Sequence, residues 1–151
     1  NETTRNALCQ LHSLLRVTRL WLPDAHRLRA VVYMRPDLRF YAPLDVVALA
    51  GVQDDELYTP FWHRFGGLND RFAFGGATAA AAYGLRALRL REFARANKLQ
   101  PEVFLAQALK RGAVELRLTS SLAARVRASG TVKAEDSHLR GCSFQKCYPG
   151  R

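Results

Sequence analysis

The chain has 151 residues, of which 48% are hydrophobic, and this is typical of one globular domain with an ordinary core. Its formal net charge of +10 favours anionic partners such as nucleic acid, phosphorylated sugars or an acidic membrane surface. The sequence contains neither an apolar run of about eighteen residues nor an N-terminal signal pattern, so it predicts no transmembrane segment and no signal peptide.

Hydrophobic periodicity and turn residues predict alternating helices and strands. Leu11, Leu14 and Leu15 recur at helical spacing within residues 4–22, and Pro23 ends this amphipathic helix. The later elements are predicted, in chain order, as a strand at residues 30–34, a short helix at 44–49, strands at 56–60 and 71–74, a long helix from 77 or 78 to about 96, a helix from 101 to about 111, a strand at 113–118 and a short strand at 122–126.

Helices interleaved with single strands favour an α/β layered fold with one central sheet flanked by helices. We assign residues 1–128 to this domain. The polar segment 129–151 contains glycine and few apolar residues, and it is predicted to be a loose tail or a segment packed over the domain.

The three cysteines do not form a disulfide framework, and Cys142-x4-Cys147 lacks the second ligand pair of a structural zinc site. In an oxidising compartment Cys142 and Cys147 can close a small disulfide loop, whereas Cys9 lies in an apolar helical context and is predicted to be a core thiol. Asn1-Glu2-Thr3 fits the N-glycosylation pattern. These features favour a secretory compartment.

The first candidate site is the Arg35-Pro36-Asp37 corner, which follows the predicted strand at residues 30–34. In open α/β sheets, ligands bind at the edge where strands end. An aspartate there can hold a divalent cation and an arginine can bind phosphate directly, so the pair suits a diphosphate. The alternative is that Asp37 caps the next turn and that Arg35 is a surface residue.

The second candidate site is the loop in which Gly66 and Gly67 precede Asn69, Asp70 and Arg71. A glycine pair lets the backbone approach a ligand, so these three side chains can converge on a sugar. The alternative is an Asx-type turn, in which Asn69 and Asp70 bond to their own backbone.

Other polar and aromatic side chains complete the candidates. His63 has no serine or cysteine nucleophile in a recognisable pattern, so its predicted role is a hydrogen bond. Glu102 lies in the first turn of the helix that Pro101 begins, where it can act as a general base or complement the helix dipole. Phe61 and Trp62 can stack on a sugar or a base, or can belong to the core.

Three blocks occur in one order: Gln10-Leu11-x-Ser13-Leu14, Val31-Val32-Tyr33-Met34-Arg35-Pro36-Asp37-Leu38 and Gly66-Gly67-Leu68-Asn69-Asp70-Arg71-Phe72-Ala73-Phe74-Gly75. In these blocks the chain resembles a group of glycosyltransferases with a GT-A (Rossmann-like) fold, over residues 4–127. The resemblance implies a nucleotide-sugar donor, a hydroxyl acceptor on a glycan, protein or small molecule, and the Golgi lumen as the compartment. The first nucleotide-binding strands of such a domain have no counterpart here, which implies its C-terminal part or a shortened, non-catalytic remnant.

The resemblance also implies residue roles. Asp37 stands where such enzymes have the last aspartate of an Asp-x-Asp metal motif, which implies Mn²⁺ or Mg²⁺ as a cofactor, but Arg35 occupies the first position. The Arg35 guanidinium can partly replace the cation by stabilising the departing diphosphate. The expected roles are donor binding by Arg35 and Asp37, metal binding by Asp37, substrate binding by His63, Asn69 and Arg71, and catalysis by Asp70 and Glu102.

Two functions outside this class stay open at the level of sequence. A basic module for RNA or another polyanion fits the net charge of +10 and the aromatic residues Phe61, Trp62 and Phe65 beside His63 and Arg64. A non-catalytic remnant of the transferase fold would act only as a structural partner. A polyanion binder loses affinity steeply as salt rises, which separates it from a donor pocket.

Overall fold

The computed structural model describes residues 2–142. The helices are α1 (Glu2–Trp21), α2 (Val46–Gly51), α3 (Ala77–Gly84), α4 (Leu90–Ala96) and α5 (Pro101–Lys110). The strands are β1 (Val31–Met34), β2 (Leu38–Phe40), β3 (Glu56–Pro60), β4 (Phe72–Gly75), β5 (Glu115–Thr119) and β6 (Ala123–Arg125). Three 3₁₀ segments occupy Leu22–Arg27, Leu85–Arg89 and Ala134–Gly141.

A four-stranded mixed sheet in the order β1-β4-β3-β5 forms the centre of the fold. Strand β4 is antiparallel to both β1 and β3, whereas β3 and β5 are parallel. Helices flank the sheet, and the main core cluster joins them to it through residues such as Leu57, Ala73, Tyr83 and Leu105. The predicted α/β class is therefore confirmed as a mixed α/β fold.

Strands β2 and β6 form a separate two-stranded antiparallel sheet, so the prediction of one central sheet was wrong in this respect. Strand β2 has three residues, which is too short for an alternating pattern to show in the sequence. Leu38 pairs with Arg125, and the Val126 amide donates to the Asp37 carbonyl at 2.8 Å. This pairing places the Arg35-Pro36-Asp37 corner beside the segment that follows β6.

The long helix predicted to run to about residue 96 is divided into α3, the 3₁₀ segment Leu85–Arg89 and α4. The change follows Gly84, where a Cβ would overlap the hydroxyl oxygens of Thr18 and Tyr33. These two hydroxyls are 2.7 Å apart and link α1 to β1. Close contact with α1 requires glycine at this position, and glycine is a poor helix former, which accounts for the change in the helix.

The described part of segment 129–151 is packed against the domain. Asp136 and Leu139, in the 3₁₀ segment Ala134–Gly141, are buried, and Leu139 contacts the cluster of Phe61, Trp62 and Ala123. Cys142 is disulfide-bonded. Its predicted partner Cys147 and the predicted glycosylation acceptor Asn1 lie outside the described residues. Within residues 2–142, no helix is long and apolar enough to cross a membrane.

Candidate functional site

A cleft of about 1010 Å³ lies between α1, the corner after β1, the start of α5 and the segment after β6. Arg35 and Asp37 of the first candidate site line it, and so do Asp70 and Arg71 of the second. Glu102, in the first turn of α5, lines it as well. The cleft therefore brings together side chains that are far apart in the sequence. His63 and Asn69 are not part of its wall.

Arg35 and Asp37 form a bidentate ion pair at the edge of the cleft. The Nε and Nη2 atoms of Arg35 donate to Asp37 Oδ1 and Oδ2, each at 2.8 Å, and both side chains are 37% exposed. The hydrogen bonds from Arg35 lower the pKa of the Asp37 carboxyl and raise that of Arg35. The carboxylate is thus ionised, and it holds the guanidinium in one orientation beside the cleft.

The oxygen atoms that a divalent cation would use at this corner already accept hydrogen bonds. Both oxygens of Asp37 already accept hydrogen bonds from Arg35. Among residues 2–142, no three His, Cys, Asp or Glu side chains converge in a way that could hold a metal ion. A Mg²⁺ or Mn²⁺ ion at Asp37 would have to displace the guanidinium and take its other ligands from water and substrate phosphates. The expected metal at Asp37 therefore stays a prediction.

A turn at Asn69 orients the loop before β4. Asn69 is 1% exposed; its Nδ2 donates to the Trp62 carbonyl at 2.7 Å, and its Oδ1 accepts from the Arg71 amide at 2.9 Å. This is the Asx-type turn given above as the alternative to sugar binding. Asn69 is not among the residues that line the cleft, whereas the two residues that follow it, Asp70 and Arg71, line it.

The glycine pair brings this loop against the start of α5. The Leu68 amide donates to the Glu102 carbonyl at 3.1 Å. A Cβ on Gly67 would overlap the backbone of Glu102 and Val103, whereas Gly66, at a φ of +83°, has open space around it. Gly67 is therefore required for close approach of backbone to backbone, and this contact places Asp70 and Glu102 in one cleft.

Gly67→Ala is expected to lower the free energy of unfolding by about 3 kcal/mol or more, because the added methyl group must push two backbone segments apart. Gly66→Ala is the matched control, since only its positive φ opposes the substitution, and about 1 kcal/mol is expected. Urea unfolding followed by circular dichroism measures both values. Equal losses for the two variants would contradict the contact between Gly67 and α5.

The carboxylates of Asp70 and Glu102 differ in their surroundings. Asp70 is 8% exposed, and its Oδ2 and carbonyl oxygen both accept from Gln10 Nε2, at 3.0 and 2.8 Å. Tyr83 Oη donates to the same carbonyl at 3.0 Å. Glu102 is half-buried, and burial raises the pKa of its carboxyl, with a further contribution from the charge of Asp70. Asp70 is thus held in place, and the raised pKa of Glu102 suits that carboxyl to accepting a proton.

A buried network around Asp136 supports one side of the cleft, and sequence reasoning did not identify it. Asp136 is fully buried and accepts from the backbone amide, Nε and Nη2 of Arg125, each at 2.8 Å. Its Oδ1 also lies 3.6 Å from Arg71 Nη1 and 3.4 Å from His63 Nδ1. The network holds Arg71 and Arg125, both of which line the cleft.

His63 is connected to the cleft through this network. Its Nδ1 lies 2.7 Å from Arg71 Nη1, where a neutral ring can accept a hydrogen bond from the guanidinium. Burial and the positive charge of Arg71 lower the pKa of His63 to about 4, although the charge of Asp136 acts in the opposite direction. His63 is therefore neutral near pH 7, and it supports Arg71.

Arg127 and Lys133 complete the wall after β6, and sequence reasoning missed both. They belong to a hairpin in which Val126 pairs with Val132 and Gly130 adopts a φ of +81°. The sequence pattern that could have indicated these two residues is basic: Arg125-x-Arg127, followed by Lys133 shortly after Gly130.

Cys9 is a free, exposed thiol that lines the cleft, so its prediction as a core residue was wrong: it lies on the face of α1 that is turned to the cleft. Phe61 and Trp62 are each 1% exposed, and Trp62 Nε1 donates to the Ser121 carbonyl at 2.8 Å. These two rings belong to the core, and of the three aromatic residues only Phe65 is exposed, at 55%.

Comparison of the chain with protein-family models, with curated proteins and with solved structures found no match in any of the three. Its function is therefore inferred from the fold and the cleft.

Proposed function

We propose that this chain is a GT-A-type glycosyltransferase domain, or the acceptor-side part of one, that moves a sugar from a nucleotide-sugar donor to a hydroxyl acceptor. The observation that carries this proposal is the convergence of the Arg35–Asp37 pair, Asp70, Arg71 and Glu102 on one cleft. Its volume of about 1010 Å³ is large enough for a nucleotide sugar.

The side chains supply complementary parts of the transfer step. Arg35 binds the diphosphate, because a guanidinium group matches phosphate oxygens in geometry and charge, and Arg71 binds the sugar or the acceptor. The acceptor oxygen bonds to the anomeric carbon while the bond from that carbon to the diphosphate oxygen breaks, and the electron pair leaves with the diphosphate. In an inverting reaction, Glu102 takes the proton of the acceptor hydroxyl. Asp70, held by Gln10, binds a sugar hydroxyl.

The test is a calorimetric titration of the purified chain with nucleoside diphosphates and nucleotide sugars, with and without Mn²⁺, at moderate salt. One nucleotide is expected to bind selectively. Arg35→Ala is expected to weaken this binding by at least about tenfold, since a charged hydrogen bond is worth about 1.5–3 kcal/mol. Arg91→Ala removes an equal charge from an exposed site outside the cleft and should leave the affinity unchanged. Equal affinities for the two variants would contradict a donor site at Arg35.

The second candidate function, a basic module for RNA or another polyanion, is favoured by the net charge of +10. The aromatic surface on which RNA bases could stack is small, because Phe61 and Trp62 are buried and Phe65 is the exposed ring among the three. RNA binding that falls steeply with salt, together with no response to nucleotide identity, would support this alternative. A chain that binds neither nucleotides nor RNA would correspond to a non-catalytic remnant.

A further inference from the structure

Four cationic side chains line the part of the cleft around Asp37: Arg35, Arg125, Arg127 and Lys133. They meet because β2 pairs with β6, so that the Val126 amide donates to the Asp37 carbonyl at 2.8 Å. The hairpin then returns, and the Lys133 amide donates to the Arg125 carbonyl at 2.9 Å. Backbone hydrogen bonds therefore tie the hairpin after β6 to the corner after β1.

The four cations differ in how far carboxylates already neutralise them. Arg35 is paired with Asp37, and Arg125 with Asp136. Among the carboxylates of residues 2–142, Lys133 Nζ meets only that of the exposed Glu135, at 3.8 Å. Arg127 is exposed and forms no ion pair with any described residue. Arg127 and Lys133 are therefore the cations at this end of the cleft whose charge the described carboxylates neutralise least.

We propose that Arg127 and Lys133, next to the Arg35–Asp37 pair, form a cationic clamp that neutralises the diphosphate of the donor in place of a divalent metal ion. This inference rests on the proposed function. A divalent ion would bring two positive charges to the diphosphate, and the two side chains bring the same number from a fixed hairpin. The bidentate pairing of Asp37 with Arg35 supports the clamp, because it occupies the carboxylate that a metal would need.

The test compares the affinities of the four common nucleoside diphosphates in excess EDTA and in Mn²⁺, by calorimetry at moderate salt. The nucleotide that binds best is expected to have dissociation constants within about twofold of each other in the two conditions. The double variant Arg127→Gln, Lys133→Gln is expected to lose at least about tenfold in affinity in EDTA. The matched control is Arg91→Gln, Lys110→Gln, which removes two exposed charges outside the cleft.

The outcomes separate this inference from the proposed function on which it depends. Binding that requires Mn²⁺ would overturn the clamp and leave the transferase proposal intact. Metal-independent binding that the double variant does not weaken would also overturn the clamp. If no nucleotide binds under either condition, the proposed function itself fails. Circular dichroism checks that each variant is folded. If the double variant is not folded, the test is repeated with the single variant Arg127→Gln, at an exposed position.

Discussion

Asp136→Ala is expected to lower the free energy of unfolding by about 3–5 kcal/mol, a large fraction of the 5–15 kcal/mol typical of a domain. Asp136 is fully buried, and its removal leaves the 9% exposed guanidinium of Arg71 without the carboxylate that it meets. The 18% exposed guanidinium of Arg125 keeps the exposed Glu135 at 3.7 Å but loses its buried, bidentate partner. The backbone amide of Arg125 also loses its acceptor. Urea unfolding at pH 7, followed by circular dichroism, measures the loss.

The neighbouring residue provides the control. Glu135 is exposed and meets Arg125 and Lys133 only at 3.7 and 3.8 Å, so Glu135→Ala should have little effect on stability. Asp136→Asn keeps the size of the side chain and one accepting oxygen but removes the charge, and an intermediate loss is expected. Similar losses for Glu135→Ala and Asp136→Ala would show that burial of the charge does not matter at this position.

The same carboxylate gives a pH dependence of defined sign. Burial raises the pKa of Asp136, but hydrogen bonds from Arg125 and the charge of Arg71 outweigh burial and lower it from 3.8 to about 2. Because this pKa is lower in the folded state, the ionised carboxylate stabilises the fold above pH 3.8, and that contribution is lost as pH falls through about 2. The acid unfolding of Asp136→Ala is therefore expected to lack this component.

The elements that sequence predicted best have local signals at their ends. Pro23 limits the first helix, predicted over residues 4–22 and observed as Glu2–Trp21, and Pro101 begins α5 as expected. Strand β3 has its predicted bounds, Glu56–Pro60, because the strand-favouring Tyr58 and Thr59 follow a polar turn at residues 53–55 and Pro60 ends the run. Strand β2 and the change of helix after Gly84 depend instead on contacts with distant parts of the chain, so local patterns do not show them.

The residues of the candidate site also differ in whether local sequence patterns indicate them. Arg35, Asp37, Asp70 and Glu102 could be selected from the sequence because each stands beside a strand or at the start of a helix. That they share one cleft could not be predicted, since their approach depends on the sheet order and on the contact of Gly67 with α5. Asp136 lies in a polar segment that carries no local signal, and only the fold shows that its carboxylate is buried.

Glu102→Gln is expected to reduce turnover by about 10²–10⁴-fold while nucleotide affinity stays within about twofold of the wild type, if Glu102 is the general base of the proposed transfer. The substitution keeps the size of the side chain and its place in the first turn of α5 but removes the proton acceptor. The measurement is the release of nucleoside diphosphate from the donor identified by calorimetry, with a panel of glycans or water as the acceptor.

Glu92→Gln is the matched control, because Glu92 also lies in the first turn of a helix but is outside this cleft and is paired with Arg111. Since burial raises the pKa of Glu102 above its ordinary value of 4.5, wild-type turnover should fall on the acid side with an apparent pKa above 4.5. Glu102→Gln should lack that dependence. If Glu102→Gln keeps wild-type turnover and Asp70→Asn loses turnover, Asp70 is the base and the role of Glu102 is limited to binding.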